Sequence, residues 1–235
     1  MQNPKILCII PARGGSQGVI RKNLRLLNNR PLIQWTIDEA KKSKFINRIV
    51  VSTEDNEIEK VCTSLDVEVI KRPMRLATHD SPTIDSLLYT VDILADIDKY
   101  YPEYVLLLQC TSPFRTVTDI DKAIVSLLDN NNVNSLISVA KEEHPPWWLK
   151  KINEDRTMSD FISYDKNLYS RRQSFPPVFR LNGAIYICEI DELKKNKSFE
   201  TKKTLAYIMD SDSSIDIDTE QDLKWAEYMI VNNHK

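Results

Sequence analysis

The run Ile6-Leu7-Cys8-Ile9-Ile10-Pro11-Ala12-Arg13-Gly14-Gly15-Ser16-Gln17-Gly18-Val19-Ile20-Arg21-Lys22-Asn23 decides how the rest of the chain is read. Ile6 to Ile10 form an unbroken apolar stretch, as a parallel strand buried on both faces requires. The chain holds only four glycines, and three of them, Gly14, Gly15 and Gly18, follow that strand. Glycine used so sparingly marks backbone that must turn sharply or come close to a ligand. Arg13, Arg21 and Lys22 surround the loop with positive charge. Backbone N–H groups and cations at the mouth of a sheet suit a polyphosphate. The competing reading is a flexible strand–helix loop with surface charges. The glycine spacing matches neither G-x-x-x-x-G-K-[ST] nor G-x-G-x-x-G, so no named phosphate motif applies.

Outward from the loop, the pattern alternates. Residues 31–43 have a helical repeat, 46–53 a strand pattern, 55–65 a helical repeat and 67–70 a strand pattern. This order predicts a parallel sheet with right-handed crossovers. Ligands of such sheets bind outside the carboxyl ends of the strands. Residues 14–22, 52–55 and 72–83 all fall at those ends. Beyond them, 84–95 is an expected helix and 104–109 is the most apolar run and the expected central strand. Residues 118–128 form a further expected helix, with Asp119 and Asp121 favourable to its dipole, and 136–140 a strand. Gln109 either reads a ligand edge or closes a turn.

The regular pattern stops at His144-Pro145-Pro146-Trp147-Trp148 and stays irregular to Pro177. The paired tryptophans suit a core or, in an irregular insert, an interface; His144 beside two prolines reads as structural. Arg171, Arg172 and Arg180 then flank a strand over 181–187 that contains Gly183. Carboxylate recognition by guanidinium competes there with plain surface charge. The last distinctive stretch is Ser214-Ile215-Asp216-Ile217-Asp218-Thr219-Glu220-Gln221-Asp222-Leu223. Strand alternation puts Asp216 and Asp218 on one face, where two carboxylates suit a hard divalent cation that also touches phosphate. Alternatively, Thr219 or Asp218 caps the helix 220–231. Capping explains one acid and leaves the shared face unexplained, so metal is preferred for the pair.

Bulk properties narrow the field. The 235 residues suit one large α/β domain, or one carrying a small insert. A net charge of −2 offers no basic field for nucleic acid. No apolar run is long enough for a membrane span, and no signal pattern precedes the first strand. A cytoplasmic location is expected, with no nucleic-acid and no membrane partner. Cys8, Cys62, Cys110 and Cys188 form no C-x-x-C pair and read as small buried apolar residues, not as zinc ligands or disulfides.

Taken together in order, these stretches carry a resemblance. Ile10-Pro11-Ala12-Arg13-Gly14-Gly15-Ser16 with Lys22-Asn23, Val51-Ser52-Thr53, Arg72-Pro73 with Leu76-Ala77, Leu108-Gln109 with Thr111-Ser112-Pro113, Arg172-Gln173, Phe179-Arg180 with Asn182-Gly183-Ala184-Ile185-Tyr186, and Ile215-Asp216-Ile217-Asp218-Thr219 span essentially the whole chain. The sequence resembles the acylneuraminate cytidylyltransferase family, the CMP-sialic acid and CMP-nonulosonic acid synthetases. The resemblance implies a Rossmann-like α/β nucleotidyltransferase: a mostly parallel sheet flanked by helices, with a core from 1–140 and 181–235 and a small dimerisation insert at 141–180. It implies a homodimer whose insert crosses to the partner and helps complete its site. It also implies CTP and a nonulosonic acid as substrates and Mg2+ as cofactor.

The site residues it implies are named in turn. Arg13 and Lys22 match the triphosphate-binding cations, and Gly14, Gly15, Ser16 and Asn23 lie in the same nucleotide-binding stretch. Arg72 and Thr83 match positions around the cytidine. Gln109, Arg172, Asn182 and Tyr186 match sugar-side positions, Arg172 near the sugar carboxylate. Asp216 and Asp218 match the metal carboxylates. Arg13, Lys22, Asp216 and Asp218 are the expected catalytic set, and Arg21 drops to a surface charge. Two departures from the best-known sialic acid branch, Pro145-Pro146-Trp147-Trp148 and Cys110 in place of a proline, set legionaminic acid beside N-acetylneuraminate as the expected acceptor. Pseudaminic acid is less favoured. The alternatives are a nucleotidyltransferase for Kdo or a sugar 1-phosphate, and a non-catalytic nucleotide-binding protein.

Overall fold

The burial of β1 (Ile6–Pro11) shows how the layers form. Its Ile6, Cys8 and Ile10 join one apolar cluster and its Leu7 and Ile9 another, on opposite faces of a sheet. The computed structural model describes residues 4–167 and 171–233. After β1 come a ribbon of β2 (Leu26–Leu27) and β3 (Arg30–Pro31), then α1 (Leu32–Lys42), β4 (Arg48–Thr53), α2 (Asn56–Ser64), β5 (Glu68–Lys71), α3 (Thr83–Asp98), β6 (Tyr104–Leu108), α4 (Val117–Leu128) and β7 (Ser135–Lys141). The chain then leaves the sheet for a hairpin, β8 (Lys150–Ile152) with β9 (Met158–Asp160). It returns as β10 (Phe179–Glu189) and ends in α5 (Ile190–Asn196), β11 (Thr204–Met209) and α6 (Glu220–Asn233).

The seven-stranded sheet runs β11-β7-β10-β6-β1-β4-β5. β1 pairs in parallel with β4 (Ile9 opposite Val50) and with β6 (Ile9 opposite Leu107). Only β10 runs antiparallel, between β6 and β7. The reason is topological: β7 ends at the carboxyl edge, and β10 begins at that same edge, with Phe179 opposite Lys141. β6 is the middle strand, as its unbroken apolar run implies. One face packs on Ile33 and Ile37 of α1, Ile58 of α2 and Ile120 and Ile124 of α4. The other packs on Leu87, Val91 and Leu94 of α3 and Leu193 of α5. Each such buried aliphatic side chain contributes about 1.5–3 kcal/mol. All four cysteines are free and buried, and burial pushes their thiols up to about 12.

The short ribbons β2–β3 and β8–β9 lie outside the sequence pattern, and so do three features near the end of the chain. α5 is short, β11 alternates weakly at the sheet edge, and the 214–218 stretch is not a strand of the sheet. It leaves a 3-10 turn at Asp212–Ser214, is extended at Ile215 and pairs with no ladder, its Ile217 N–H donating to the Thr111 carbonyl at 2.8 Å. A third cluster fixes it: Ile217 packs with Leu27, Leu32 and the Leu223, Ala226 and Ile230 face of α6. Among the described residues no helix is long and apolar enough to cross a membrane.

Local chemistry starts and stops the helices. Asp55 caps α2 by accepting from the Glu57 and Ile58 N–H groups. Thr116 and Asp119 form a reciprocal capping box at α4. Asp121 instead accepts from the Ser43 hydroxyl at 2.5 Å. Thr116→Ala should lower the unfolding free energy by about 1 kcal/mol. Urea denaturation checks this, and an unchanged midpoint would remove the box from the list of stabilising contacts.

Candidate active site

The loop after β1 is pinned from below and crossed from above. The Gly14 N–H donates to Glu54 Oε1 at 2.6 Å. A Cβ on Gly14 would stand 2.4 Å from Asp55 Oδ2. A Cβ on Gly18 would stand 2.1 Å from the Asp218 carbonyl oxygen, a backbone atom that cannot swing aside. Gly18 is therefore glycine because the 216–218 arm passes directly over it. Around Gly15 there is open space. Arg21, in the left-handed region with φ 57, reaches Asp55 at 2.5 Å and Glu57 at 2.6 Å. Its charge is engaged in stapling the loop to the start of α2, so it is more than a solvated surface cation. The Arg21 hydrogen bond also holds the Asp55 carboxyl below the usual range.

Lys22 closes the loop onto the arm, donating from Nζ to the Ile217 carbonyl and to Asp218 Oδ1, each at 2.8 Å. Asn23 is buried and braces the loop through its amide, which donates to the Arg13 carbonyl at 2.9 Å. The Arg13 guanidinium reaches across the cleft mouth to the Thr78 carbonyl at 3.2 Å. Beneath the loop, Arg72 and Glu54 form a buried ion pair, Nη2 to Oε2 at 2.9 Å, with Ser86 accepting from Nη1 at 3.2 Å. Glu54 thus satisfies both the Gly14 amide and Arg72. Nothing in the sequence pattern singled it out, because its role depends on two strand ends meeting.

These elements enclose a cleft of about 620 Å³. Arg13, Ser16, Lys22, Asn23, Arg72, Thr83, Gln109, Asp216 and Asp218 all line it, together with Thr78, His79 and Ser81 from the loop before α3. Gly14 and Gly15 shape the loop without lining the cleft. A second hollow of about 310 Å³ shares Thr83 and Gln109 with the first. Tyr186 lines it, its ring 5.5 Å from that of Phe199, beside Leu107, Ile137 and Leu181. Phe199 lies between α5 and β11, where periodicity is weakest, which is why sequence reasoning passed over it.

Two expected sugar-side residues lie elsewhere in the single chain. Arg172 sits on an exposed 3-10 turn 3.9 Å from Glu143. Asn182 is 1% exposed. Its amide oxygen accepts from Ser138 and the Ala184 N–H, and its amide nitrogen donates to Ser214 and the Met209 sulfur. It braces the approach to Asp216 from inside the protein.

The carboxylate pair has unequal surroundings. Asp218 is exposed and paired with Lys22. Asp216 is largely buried, and its Oδ1 has no partner. Burial pushes its carboxyl up, Thr111 pulls it down, Asp218 raises it and Lys22 lowers it. Capping does not explain either acid: Thr219 and Asp222 satisfy each other at the start of α6, hydroxyl to carboxylate at 2.8 Å and N–H to hydroxyl at 3.2 Å. Among the described residues no group of three or more His, Cys, Asp or Glu side chains is arranged to hold a metal. A hard cation that takes one or two carboxylates and completes its shell with phosphate oxygens and water fits this donor set, and the unpartnered Asp216 oxygen is consistent with it.

A sheet of this order with a ligand cleft at its carboxyl edge is a Rossmann-like nucleotidyltransferase core. The chain matches the family model described as "Cytidylyltransferase" over residues 7–235, and it belongs to that family. Among similar proteins, post-translational flagellin modification protein B of Campylobacter coli is 33% identical, covering 96% of this chain and 95% of its own. The CMP-N,N'-diacetyllegionaminic acid synthase of Legionella pneumophila is 33% identical over 98% of both chains. The N-acylneuraminate cytidylyltransferase of Escherichia coli is 31% identical over 94% of this chain, which spans only 51% of that longer protein. In three dimensions, CMP:2-keto-3-deoxy-manno-octonic acid synthetase complexed with CTP superposes with a TM-score of 0.72 at 17% identity, covering 97% of this chain and 99% of that one. That likeness concerns the fold.

Arg72→Met should leave Glu54 buried without its counter-charge and cost roughly 3–5 kcal/mol of stability. The double variant Arg72→Met/Glu54→Leu should regain most of it. Denaturant unfolding of both variants checks the pair; equal loss in the two would show that packing, not charge, dominates.

Proposed function

We propose that this protein joins CTP to a nonulosonic acid of the sialic or legionaminic type, giving a CMP-sugar and pyrophosphate. The observation that carries the reading is the meeting of Arg13 and Lys22 with Asp216 and Asp218 across one cleft. The names of the full-length and half-length relatives support the substrate class. In the reaction, the anomeric oxygen forms a bond to the α-phosphorus in line with the bond that breaks to pyrophosphate, and the hydroxyl proton is released. Arg13 and Lys22 stabilise the charge gathering on the leaving pyrophosphate, which is electrostatic help and not proton transfer. Lys22 does so by exchanging its bond to Asp218 for one to a phosphate oxygen. Arg72, already neutralised by Glu54, serves the nucleoside end, with Thr83 beside it. Gln109 stands between the two hollows, so its amide meets the acceptor while Tyr186 walls the second hollow. A magnesium ion held by Asp216 and Asp218 would neutralise charge on the phosphates.

The reading includes a homodimer built on the 141–180 insert and a cytoplasmic location, where CTP is available. Exposed Leu149, Ile152, Met158 and Phe161 on and beside the β8–β9 hairpin support the interface. Trp147 and Trp148 back the hairpin by packing on Phe175, with ring centroids 5.2 and 6.0 Å away. Such an arm would carry Arg172 toward the partner's acceptor pocket.

Pyrophosphate release from CTP, measured side by side with N-acetylneuraminic, legionaminic, pseudaminic and Kdo acceptors, tests the function. Turnover is expected with one of the first two and magnesium. Turnover of Kdo alone, or CTP binding without any turnover, would replace this reading by the corresponding alternative. Lys22→Ala should lower kcat by about 10²–10³, and Asp218→Ala should abolish the magnesium-dependent release while the protein stays folded. Ile152→Asp with Phe161→Asp should give a monomer by light scattering; a retained dimer would move the interface off the insert.

A further inference from the structure

Arg115 is the largest of the fully buried side chains, 1% exposed. Among the described residues it makes no ion pair, an unusual position for a guanidinium. Its partners are neutral. Nη1 donates to the Gln109 carbonyl at 3.1 Å and to the Ala184 carbonyl at 2.9 Å, and Nη2 donates to the Thr36 hydroxyl at 2.8 Å. The Thr36 hydroxyl also donates to the Gln109 carbonyl, at 3.3 Å. Nε has no partner. Burial draws the group down to about 10, which still leaves it charged at neutral pH.

The three partners come from three elements: β6 and β10, whose pairing ends with Ile185 opposite Leu108, and α1. Gln109 is the first residue past β6 and its side chain lines both hollows. Ala184 follows Gly183, which has φ +73 and sits where β10 slips register between Leu181 and Tyr186. A Cβ on Gly183 would stand 3.0 Å from Gln109 Oε1 and 3.8 Å from Asp216 Oδ2. The Gln109 amide is thus set against the β10 bulge, and the bulge against Asp216. Thr36 anchors the assembly to α1.

We propose that Arg115 is a positioning residue for the acceptor side of the cleft: its guanidinium ties the end of β6 to the β10 bulge and so fixes where the Gln109 amide meets the sugar. The proposal rests on the acceptor reading given above. A planar fork reaches two carbonyls and a hydroxyl at once; a lysine ammonium on a flexible stem does not reproduce that geometry. The cost of burying an unpaired cation is then offset by definition of one turn, not by a salt bridge.

The test is a kinetic cycle on the full-length protein with CTP, magnesium and the acceptor that the wild type uses. Arg115→Lys should raise the KM for the acid sugar roughly ten- to hundredfold while the KM for CTP stays within about twofold. Gln109→Ala should show the same selectivity, and the double variant should lose little more than either single one. Should Arg115→Lys not fold, Thr36→Val keeps the guanidinium and removes one anchor, and is expected to move the sugar KM alone, in the same direction. An active wild type with equal rises in both KM values, or additive losses in the cycle, overturns the proposal. A wild type that turns over no nonulosonic acid overturns the functional reading and the proposal with it.

Discussion

The cleft depends on a clasp between two distant stretches of chain. Gly18 lies under the Asp218 carbonyl, and Lys22 bonds the Ile217 carbonyl and the Asp218 carboxylate. Neither stretch is part of a strand ladder, so neither has a sheet to hold it. The loop is held by Glu54 at Gly14 and by Arg21 on Asp55. The arm is held by Ile217 in the third apolar cluster and by its N–H on Thr111. Cations and carboxylates face one another because two separately anchored pieces of backbone are brought into contact.

The sheet supplies the remaining alignment through its one reversed strand. β10 enters at the carboxyl edge, so its first residues, not its last, lie beside the ends of the parallel strands. That brings the Asn182-Gly183-Ala184 bulge to the same edge as Gln109. Asn182 braces it toward Ser214 and the arm, while Arg115 braces it toward β6 and α1. The two hollows meet at Gln109 because a strand that arrives from the insert shares this edge with strands that leave the core.

Much of this was legible in the residues. The apolar runs of β1 and β6 are continuous because both faces are covered, and the helical repeats between them leave few topologies open. The tight loop after β1 could be read because glycine is so scarce: a Cβ would meet Asp55 at Gly14 and the Asp218 carbonyl at Gly18, although Gly15 faces open space. What escaped was whatever depends on non-local partners. Glu54 looks like any acid after a strand until Arg72 and Gly14 close on it. Asn182 resembles a ligand-reading amide, yet its four bonds are inside the protein. β11 and the Phe199 segment lie at the sheet edge, where one exposed face weakens alternation. The 214–218 stretch has strand periodicity in its sequence, yet only Ser214 and Ile217 are buried in it and no neighbouring strand pairs with it.

The clasp also orders events in folding. Its two Lys22 contacts join residues 195 and 196 positions apart. Closing so long a loop costs entropy before any contact repays it, so such contacts form late. The β1–β4–β5 unit assembles from neighbouring segments, and until α6 docks it presents the Gly14–Lys22 loop without the 216–218 arm. Ligand affinity is therefore a property of the finished chain. A nucleotide that bridges loop and arm would in turn hold α6 down by mass action, and the slowing of hydrogen exchange on adding CTP should be greatest along that helix.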